Sequence, residues 1–262
     1  MIASQRREKI LELIKEDGQA KVTNLSRLFK VTEVTIRQDL EKLERDGYLV
    51  REHGGAYLKR SHDNAGTMVL SNEELHVKEK MLIARKAVEF IHDGDTIILD
   101  SGSTTTEIAK LIKGFTNLTI ITNALNIAII LGAEPGVNIV VTGGEFKSPT
   151  LSLTGQKAAD FFQNLHVDKL FLATAGIALK SGLTYPGISD ICVKRAMIES
   201  ADETYLVADS SKIGKSAFAS LGALSLINYI ITDSNISKED IKLFESFDLK
   251  IIVAEDDKEE PL

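Results

Sequence analysis

The most informative stretch for the fold is Ile97-Ile98-Leu99-Asp100-Ser101-Gly102-Ser103-Thr104-Thr105-Thr106-Glu107-Ile108-Ala109-Lys110. In it, a run of apolar residues is followed by small residues that carry hydroxyl groups. Apolar residues that end at Asp100 are typical of a buried parallel strand, and Ile108 and Leu111 continue at helical spacing. A strand-to-helix turn presents backbone N–H groups at the positive end of a helix dipole, and Gly102 lets a ligand approach. We therefore predict a phosphate site here. The alternative is a turn whose hydroxyls only cap the helix.

Short apolar runs alternate with helical patterns through the rest of the chain. The predicted strands are Thr96–Leu99, Leu118–Thr122, Ile139–Thr142, Lys169–Ala173, Glu203–Val207, Tyr229–Thr232 and Lys250–Val253. Strands separated by helices predict an α/β fold with a mainly parallel sheet that carries helices on both faces. The ligand crevice of such a sheet lies at the carboxyl ends of its strands.

The residues that follow the predicted strands are polar and rich in glycine. Backbone N–H groups, hydroxyls and one lysine suit a phosphate, whereas a carboxylate and an amide suit sugar hydroxyls. We therefore predict a phosphorylated sugar as the ligand. The predicted effector-binding residues are Asp100, Ser101, Gly102, Ser103, Thr104, Thr105, Asn123, Gly143, Gly144 and Lys212. Two alternatives stay open, because paired glycines also allow close packing and a lysine after a strand is usually solvated.

The first 58 residues have a different pattern. Amphipathic helices are predicted from Ser4 to Glu16, from Thr23 to about Lys30, and from Glu33 to about Asp46, with Thr23 and Thr32 as N-caps. Two short strands around Glu52-His53-Gly54-Gly55 complete a hairpin. Three helices followed by a hairpin predict a winged helix-turn-helix, in which the third helix lies in the major groove of DNA.

The solvent face of the predicted third helix carries side chains that contact bases and phosphates. Ile36, Leu40 and Leu43 are predicted to face the core. The predicted DNA-binding residues are Thr32, Thr35, Arg37, Gln38 and Lys42 on or beside that helix, with Arg6, Thr23, Arg51 and His53 as backbone or wing contacts. The alternative is a three-helix module that binds protein through a polar face.

The charge distribution fits this division. The chain of 262 residues has a net charge of -7, but residues 1–60 hold 13 Lys and Arg against 10 Asp and Glu. The negative overall charge argues against indiscriminate nucleic-acid binding, and a mildly basic head on an acidic body fits a DNA-binding sensor. No signal peptide or membrane span is present, so we expect a cytoplasmic location and no membrane partner. Cys192, the single cysteine, is predicted to be buried, and we predict no cofactor and no metal ligand.

The predicted organisation is a DNA-binding domain at 1–58, a linker at 59–75 without a sustained hydrophobic period, and an effector-sensing and oligomerisation domain at 76–262. One winged helix reads only a short half-site, so a homodimer or homotetramer is expected to bind double-stranded operator DNA.

The chain resembles the DeoR family of bacterial transcription regulators. The segments that carry the resemblance are Val31-Thr32-Glu33-Val34-Thr35-Ile36-Arg37-Gln38-Asp39-Leu40, Arg51-Glu52-His53-Gly54-Gly55-Ala56, Lys80-Met81-Leu82-Ile83-Ala84, Gly94-Asp95, Asp100-Ser101-Gly102-Ser103-Thr104-Thr105, Thr122-Asn123, Gly143-Gly144 and Asp209-Ser210-Ser211-Lys212. The family usually has Arg where this chain has Gln38 and Ser where it has Thr32. The resemblance implies a sensor domain similar in fold to ribose-5-phosphate isomerase, and a repressor of a carbohydrate-catabolism operon that a phosphorylated sugar releases.

The similarity to an isomerase raises an alternative, a sugar-phosphate isomerase-like enzyme with an accessory DNA- or protein-binding head. Aldose–ketose isomerisation needs a carboxylate base within reach of the sugar C–H group. The related isomerases carry an acidic cluster after the fourth strand, where this chain reads Ala173-Thr174-Ala175-Gly176. We therefore predict that the chain has no catalytic residues and is not an enzyme.

Overall fold

The chain divides into two compact units in the computed structural model. The structure describes residues 2–17, 19–52, 54–58 and 75–256. One unit comprises Met1–Ser71 with Lys147–Thr150, and the other comprises Asn72–Phe146 with Leu151–Leu262. The predicted linker at 59–75 lies outside the described residues except for Leu75, so the proposed domain boundaries remain predictions.

The described residues of the first unit form three helices and a three-stranded sheet. Its elements are α1 (Ala3–Asp17), β1 (Gln19–Lys21), α2 (Val22–Phe29), α3 (Glu33–Arg45), β2 (Leu49–Glu52) and β3 (Gly55–Leu58). The strands are antiparallel in the order β1-β3-β2. The predicted helices and hairpin are confirmed. Strand β1 was not predicted, since three residues are too few to show alternation.

Helix α3 packs on α1 and α2 through the residues that its spacing indicated. Ile36, Leu40 and Leu43 are buried, as predicted. Thr32 is the N-cap of α3, where its hydroxyl accepts a hydrogen bond from the Thr35 amide at 3.2 Å. Thr23 was wrong as an N-cap, because α2 begins one residue earlier at Val22.

The second unit is built around a seven-stranded sheet. Its helices are α4 (Val77–Val88), α5 (Ser103–Leu111), α6 (Leu125–Leu131), α7 (Gln156–Asp160), α8 (Ile191–Ser200) and α9 (Lys238–Glu245). Its strands are β4 (Thr96–Leu99), β5 (Leu118–Thr122), β6 (Val137–Val141), β7 (Glu145–Lys147), β8 (Ser152–Thr154), β9 (Val167–Leu172), β10 (Gly176–Ala178), β11 (Gly182–Tyr185), β12 (Ala201–Val207), β13 (Ala219–Gly222), β14 (Tyr229–Asp233) and β15 (Lys250–Ala254). One turn of 3₁₀ helix follows β12 at Ser210–Lys212.

The main sheet has the order β15-β14-β12-β9-β4-β5-β6, and every neighbouring pair is parallel. All seven predicted strands are present, with ends that differ by at most two residues. Ile97 and Leu99 of β4 belong to one buried cluster and Ile98 belongs to another. Both faces of the sheet are therefore covered, which explains the continuous apolar run in β4.

Two smaller sheets lie in segments for which the sequence predicts no strand. Strands β10, β11 and β13 form an antiparallel sheet, and β7 pairs with β8.

Cys192 is half-buried rather than buried. Among the described residues, no helix has both the length and the apolar character that a bilayer crossing requires.

The order of the strands locates the crevice of the main sheet. From β4 the chain adds β5 and β6 on one side, and later adds β9, β12, β14 and β15 on the other. The direction of growth therefore reverses between β4 and β9. Ligands of open parallel sheets bind outside the carboxyl ends of the strands at such a reversal, so the loops after β4 and β9 form the candidate crevice.

Candidate functional site

The first candidate surface is the solvent face of α3. Arg37, Gln38 and Lys42 are exposed there, and Thr35 is half-buried. The Arg37 guanidinium donates to the Glu33 carboxylate at 2.7 Å, while the hydroxyls of Thr32 and Thr35 lie 3.0 Å apart. Arg37 is therefore held along the first turns of the helix, at the end that contacts bases in a helix-turn-helix protein.

Arg6 was predicted to contact DNA, and the structure contradicts this role. Its side chain is buried, with 8% of the residue exposed, and its Nε atom donates to Asp39 at 2.6 Å. Arg7 contacts the same carboxylate at 3.3 Å. Asp39 lies on the buried face of α3, and a buried carboxylate needs a cationic partner. Arg6 therefore joins α1 to α3 inside the first unit.

The remaining predicted contacts of this unit lie on its surface. Thr23 is exposed in the first turn of α2, and Arg51 is exposed on β2. Arg51 contacts Glu44 of α3 through its amide at 2.8 Å and its guanidinium at 2.7 Å, and these hydrogen bonds lower the pKa of Glu44. His53 lies outside the described residues.

The second candidate surface is the N-terminal end of α5. Gly102 is the N-cap residue, and no side chain caps this helix. The Thr106 amide makes the first backbone hydrogen bond to Gly102, so the amides of Ser103, Thr104 and Thr105 have no such partner within the helix. A Cβ atom at Gly102 would lie 2.6 Å from Ala173 Cβ, so the loops after β4 and β9 approach closely here.

The hydroxyl groups of this loop have two different roles. Those of Thr105 and Thr106 donate to the Gly102 carbonyl, at 2.9 and 2.7 Å. Ser101 and Ser103 are half-buried, and their hydroxyls make no hydrogen bond to any residue that the structure describes. The hydroxyl of the buried Thr104 likewise has no hydrogen-bond partner among the described residues. The two serines are therefore the half-buried members of this loop whose hydroxyls remain available to a ligand.

Asp100 was predicted to contact the ligand, and its surroundings contradict this. Its side chain is fully buried, and the Lys194 ammonium donates to both carboxylate oxygens, at 2.8 and 2.6 Å. The Ala173 amide also donates to Asp100, at 3.0 Å. Burial raises the pKa of the Asp100 carboxyl, and Lys194 offsets only part of that effect. Asp100 therefore fastens the loop after β4 to β9 and α8.

Lys194 and Tyr185, which are not among the predicted site residues, form this cluster with Asp100. Lys194 is 4% exposed and its Nζ atom lies 4.8 Å from the centre of the Tyr185 ring. The Tyr185 hydroxyl donates to the Ala173 carbonyl at 2.7 Å, and burial raises the pKa of that hydroxyl. The available signal was a lysine on the same helical stripe as Val193 and Met197.

The other predicted effector residues are spread along the carboxyl edge of the sheet. Asn123 follows β5, next to β4, whereas Gly143 and Gly144 follow β6 and Lys212 follows β12. Strands β6 and β12 are four positions apart in the sheet, which corresponds to roughly 19 Å. One small ligand at α5 therefore does not contact both ends. The Gly143–Gly144 loop has a separate packing role, because a Cβ atom at Gly144 would lie 2.6 Å from the Thr154 carbonyl.

Buried polar atoms without a partner mark the same edge. In the described part of the chain, such side-chain atoms are Asn123 Oδ1, Thr142 Oγ1 and Thr232 Oγ1. Asn123 and Thr142 directly follow β5 and β6, and Thr232 is the penultimate residue of β14. Because buried polar groups are normally paired, these atoms are available to a ligand or to water.

Comparison with known proteins gives the family. Residues 6–62 match the DeoR-like helix-turn-helix domain, and residues 75–234 match the DeoR C-terminal sensor domain. The glycerol-3-phosphate regulon repressor of Escherichia coli K12 is 33% identical over 234 residues, which cover 89% of this chain and 92% of that protein. The transcriptional repressor GlcR of Bacillus subtilis 168 is 31% identical over 262 residues, 98% of this chain and 99% of GlcR.

Among solved structures, ribose-5-phosphate isomerase A from Neisseria gonorrhoeae matches 55% of this chain and 55% of its own, with a TM-score of 0.39 and 15% identity. The matches to regulators span nearly the whole chain, and they confirm the predicted regulator over the isomerase-like alternative. The chain belongs to the DeoR family and is a DNA-binding transcription regulator with a C-terminal sensor domain.

Proposed function

We propose that the chain represses a carbohydrate-catabolism operon. In this proposal, a phosphorylated sugar that binds at the N-terminal end of α5 controls the binding of the protein to its operator DNA. The observation that carries this proposal is the uncapped helix end at the strand-order reversal, with the free hydroxyls of Ser101 and Ser103 beside it. The relative from Escherichia coli is a repressor whose name refers to glycerol 3-phosphate, a phosphorylated polyol.

The DNA side of the proposal rests on α3. In this proposal the exposed Arg37 and Gln38 contact base edges, and Lys42, one turn further on, contacts a phosphate. Because one winged helix reads a short half-site, the proposal includes a homodimer or homotetramer that fixes the spacing of two half-sites.

Removing the Arg37 side chain should weaken specific DNA binding without unfolding the head. Arg37 and Glu33 are exposed, so their ion pair contributes little to stability. On a duplex selected from a random library by the wild-type protein, Arg37→Ala should cost about 1–3 kcal/mol and relax base preference at one position. Fluorescence anisotropy titrations measure this cost.

Arg45→Ala is the matched control. Arg45 is exposed on the same helix and contacts Glu41 at 3.5 Å, but it lies at the C-terminal end of α3. Its loss should affect all sequences alike. Unchanged affinity and specificity in Arg37→Ala would show that the N-terminal turns of α3 do not read the operator.

The ligand side of the proposal combines backbone and side-chain groups. The free amides at the start of α5 favour an anion, and the serine hydroxyls add donors. Lys194 supplies no net charge, because Asp100 already accepts from it twice. Lys212 is half-buried, and within the described structure its ammonium has no partner. Lys212 ends the 3₁₀ turn that follows β12, and β12 is two positions from β4 in the sheet.

A sugar phosphate that binds this site should raise the melting temperature of the sensor unit. At 100 times the dissociation constant the stabilisation is about 2.7 kcal/mol, or roughly 5–11 °C for a domain of this size. A thermal-shift panel of pentose, hexose and glycerol phosphates, with the unphosphorylated compounds alongside, measures it. Ser103→Ala and Lys212→Ala should abolish the shift, and the sugar phosphate should be recovered unchanged.

Lys215→Ala is the control for the lysine, because Lys215 lies three residues further on and is exposed. It should leave the shift intact. Stabilisation by the unphosphorylated sugars, or an equal loss of the shift in both lysine variants, would contradict a phosphate site at α5. Turnover of the sugar phosphate would contradict the prediction that the chain is not an enzyme.

A further inference from the structure

An apolar side chain, that of Val34, lies in the first turn of α3 at the centre of the face that is turned away from the core. Val34 is 60% exposed, whereas the buried residues of the helix are Ile36, Asp39, Leu40 and Leu43. At about 100° per residue, Val34 lies nearly opposite the centre of that buried stripe. Gln38, one turn further on, is only about 40° away around the helix axis.

Within the described part of the first unit, core packing does not account for a valine at this exposed position. A β-branched residue on an exposed helix surface is a weaker helix former than alanine. The other side chains of the first turn are engaged, since Glu33 pairs with Arg37 and Thr35 contacts the hydroxyl of Thr32. Val34 therefore offers an isopropyl group at the end of the helix that approaches base edges.

We infer that Val34 is a specificity-determining residue that contacts the C5-methyl group of a thymine in the operator. In the major groove, that methyl group is the apolar feature by which bases differ, and apolar side chains read it. An isopropyl group forms no hydrogen bond, so it gains nothing against the donor and acceptor edges of other bases. The inference rests on the DNA-binding function and adds a base preference to it.

Deoxyuridine tests this contact, because it differs from thymidine only by that methyl group. A duplex selected from a random library by the wild-type protein serves as the probe, and each thymidine is replaced in turn. At one thymidine per half-site, the wild-type protein should lose about fourfold in affinity, the value of one buried methyl group. In Val34→Ala the same replacement should change affinity less than 1.5-fold, as a double-mutant cycle requires.

Lys42→Ala is the matched control. It should weaken binding to the thymidine and deoxyuridine duplexes alike and keep the fourfold ratio between them. The inference is overturned if that ratio persists in Val34→Ala, or if no replacement affects the wild-type protein. If the wild-type protein enriches no duplex at all, the DNA-binding function fails together with the inference, which distinguishes the two failures.

Discussion

Replacing Lys194 with methionine should destabilise the sensor unit by about 3–5 kcal/mol, the cost of leaving one partner of a buried ion pair uncompensated. Asp100 has no solvent exposure, and Lys194 provides its cationic contacts at 2.6 and 2.8 Å. Methionine retains most of the buried volume of lysine, so the loss reflects the charge. The backbone amides of Ala173 and Ser101 remain, but neutral amides do not neutralise a carboxylate.

Urea unfolding followed by hydrogen exchange of peptides from β4 and α8 measures this loss separately from the winged helix. Lys110→Met is the control, because the Lys110–Glu107 pair has the same 2.6 Å separation but is exposed. It should change the free energy of unfolding by no more than about 0.5 kcal/mol. Adding Asp100→Asn to Lys194→Met should recover part of the stability. Equal losses in the two lysine variants would show that burial does not set the strength of the Asp100 pair.

Replacing Arg6 with methionine should destabilise the winged helix by about 3 kcal/mol, near the lower end of the range for a broken buried pair. The loss is limited because Arg7 also contacts Asp39, at 3.3 Å. Hydrogen exchange of α1 and α3 measures it. Arg7→Met is the matched control and should cost less, since its contact is longer and its side chain more exposed.

The same variant decides whether Arg6 contacts DNA. A lost phosphate contact reduces the slope of log affinity against log salt by about one. In Arg6→Met, measured at a temperature where the head is folded, the slope should not change. In Lys42→Ala it should fall by about one. A reduced slope in Arg6→Met would restore Arg6 to the DNA interface.

Elements with strong hydrophobic periodicity were predictable from the sequence. Ile36, Leu40 and Leu43 gave the buried face of α3, and the apolar runs gave all seven strands of the parallel sheet. In these elements the apolar residues are the ones that the core buries, so the spacing of apolar residues in the sequence directly shows the buried face. Strands β1 and β10 have three residues each, and they exist through pairing with β3 and β11, which local sequence does not encode.

The roles of charged residues were less predictable. Arg6 and Asp100 were predicted as binding residues from their residue type alone. In the structure each belongs to a buried ion pair with a partner distant in sequence, Arg6 with Asp39 and Asp100 with Lys194. A charge that points inward is indistinguishable by type from one that points outward. Val34 is absent from the predicted DNA contacts because all of those are side chains that form hydrogen bonds.

The placement of β4 affects how the chain is made as well as what it binds. Its neighbours are β5, which follows closely, and β9, which is synthesised much later, so Ile97 pairs with Lys169. Pairings between distant residues fold slowly, whereas the strands of the winged helix pair residues that are closer in sequence, such as Gln19 with Tyr57. Since domains fold as units from the N-terminus during synthesis, the DNA-binding head forms while one edge of β4 is still unpaired. A nascent chain at that stage has a DNA-reading head and an incomplete sensor.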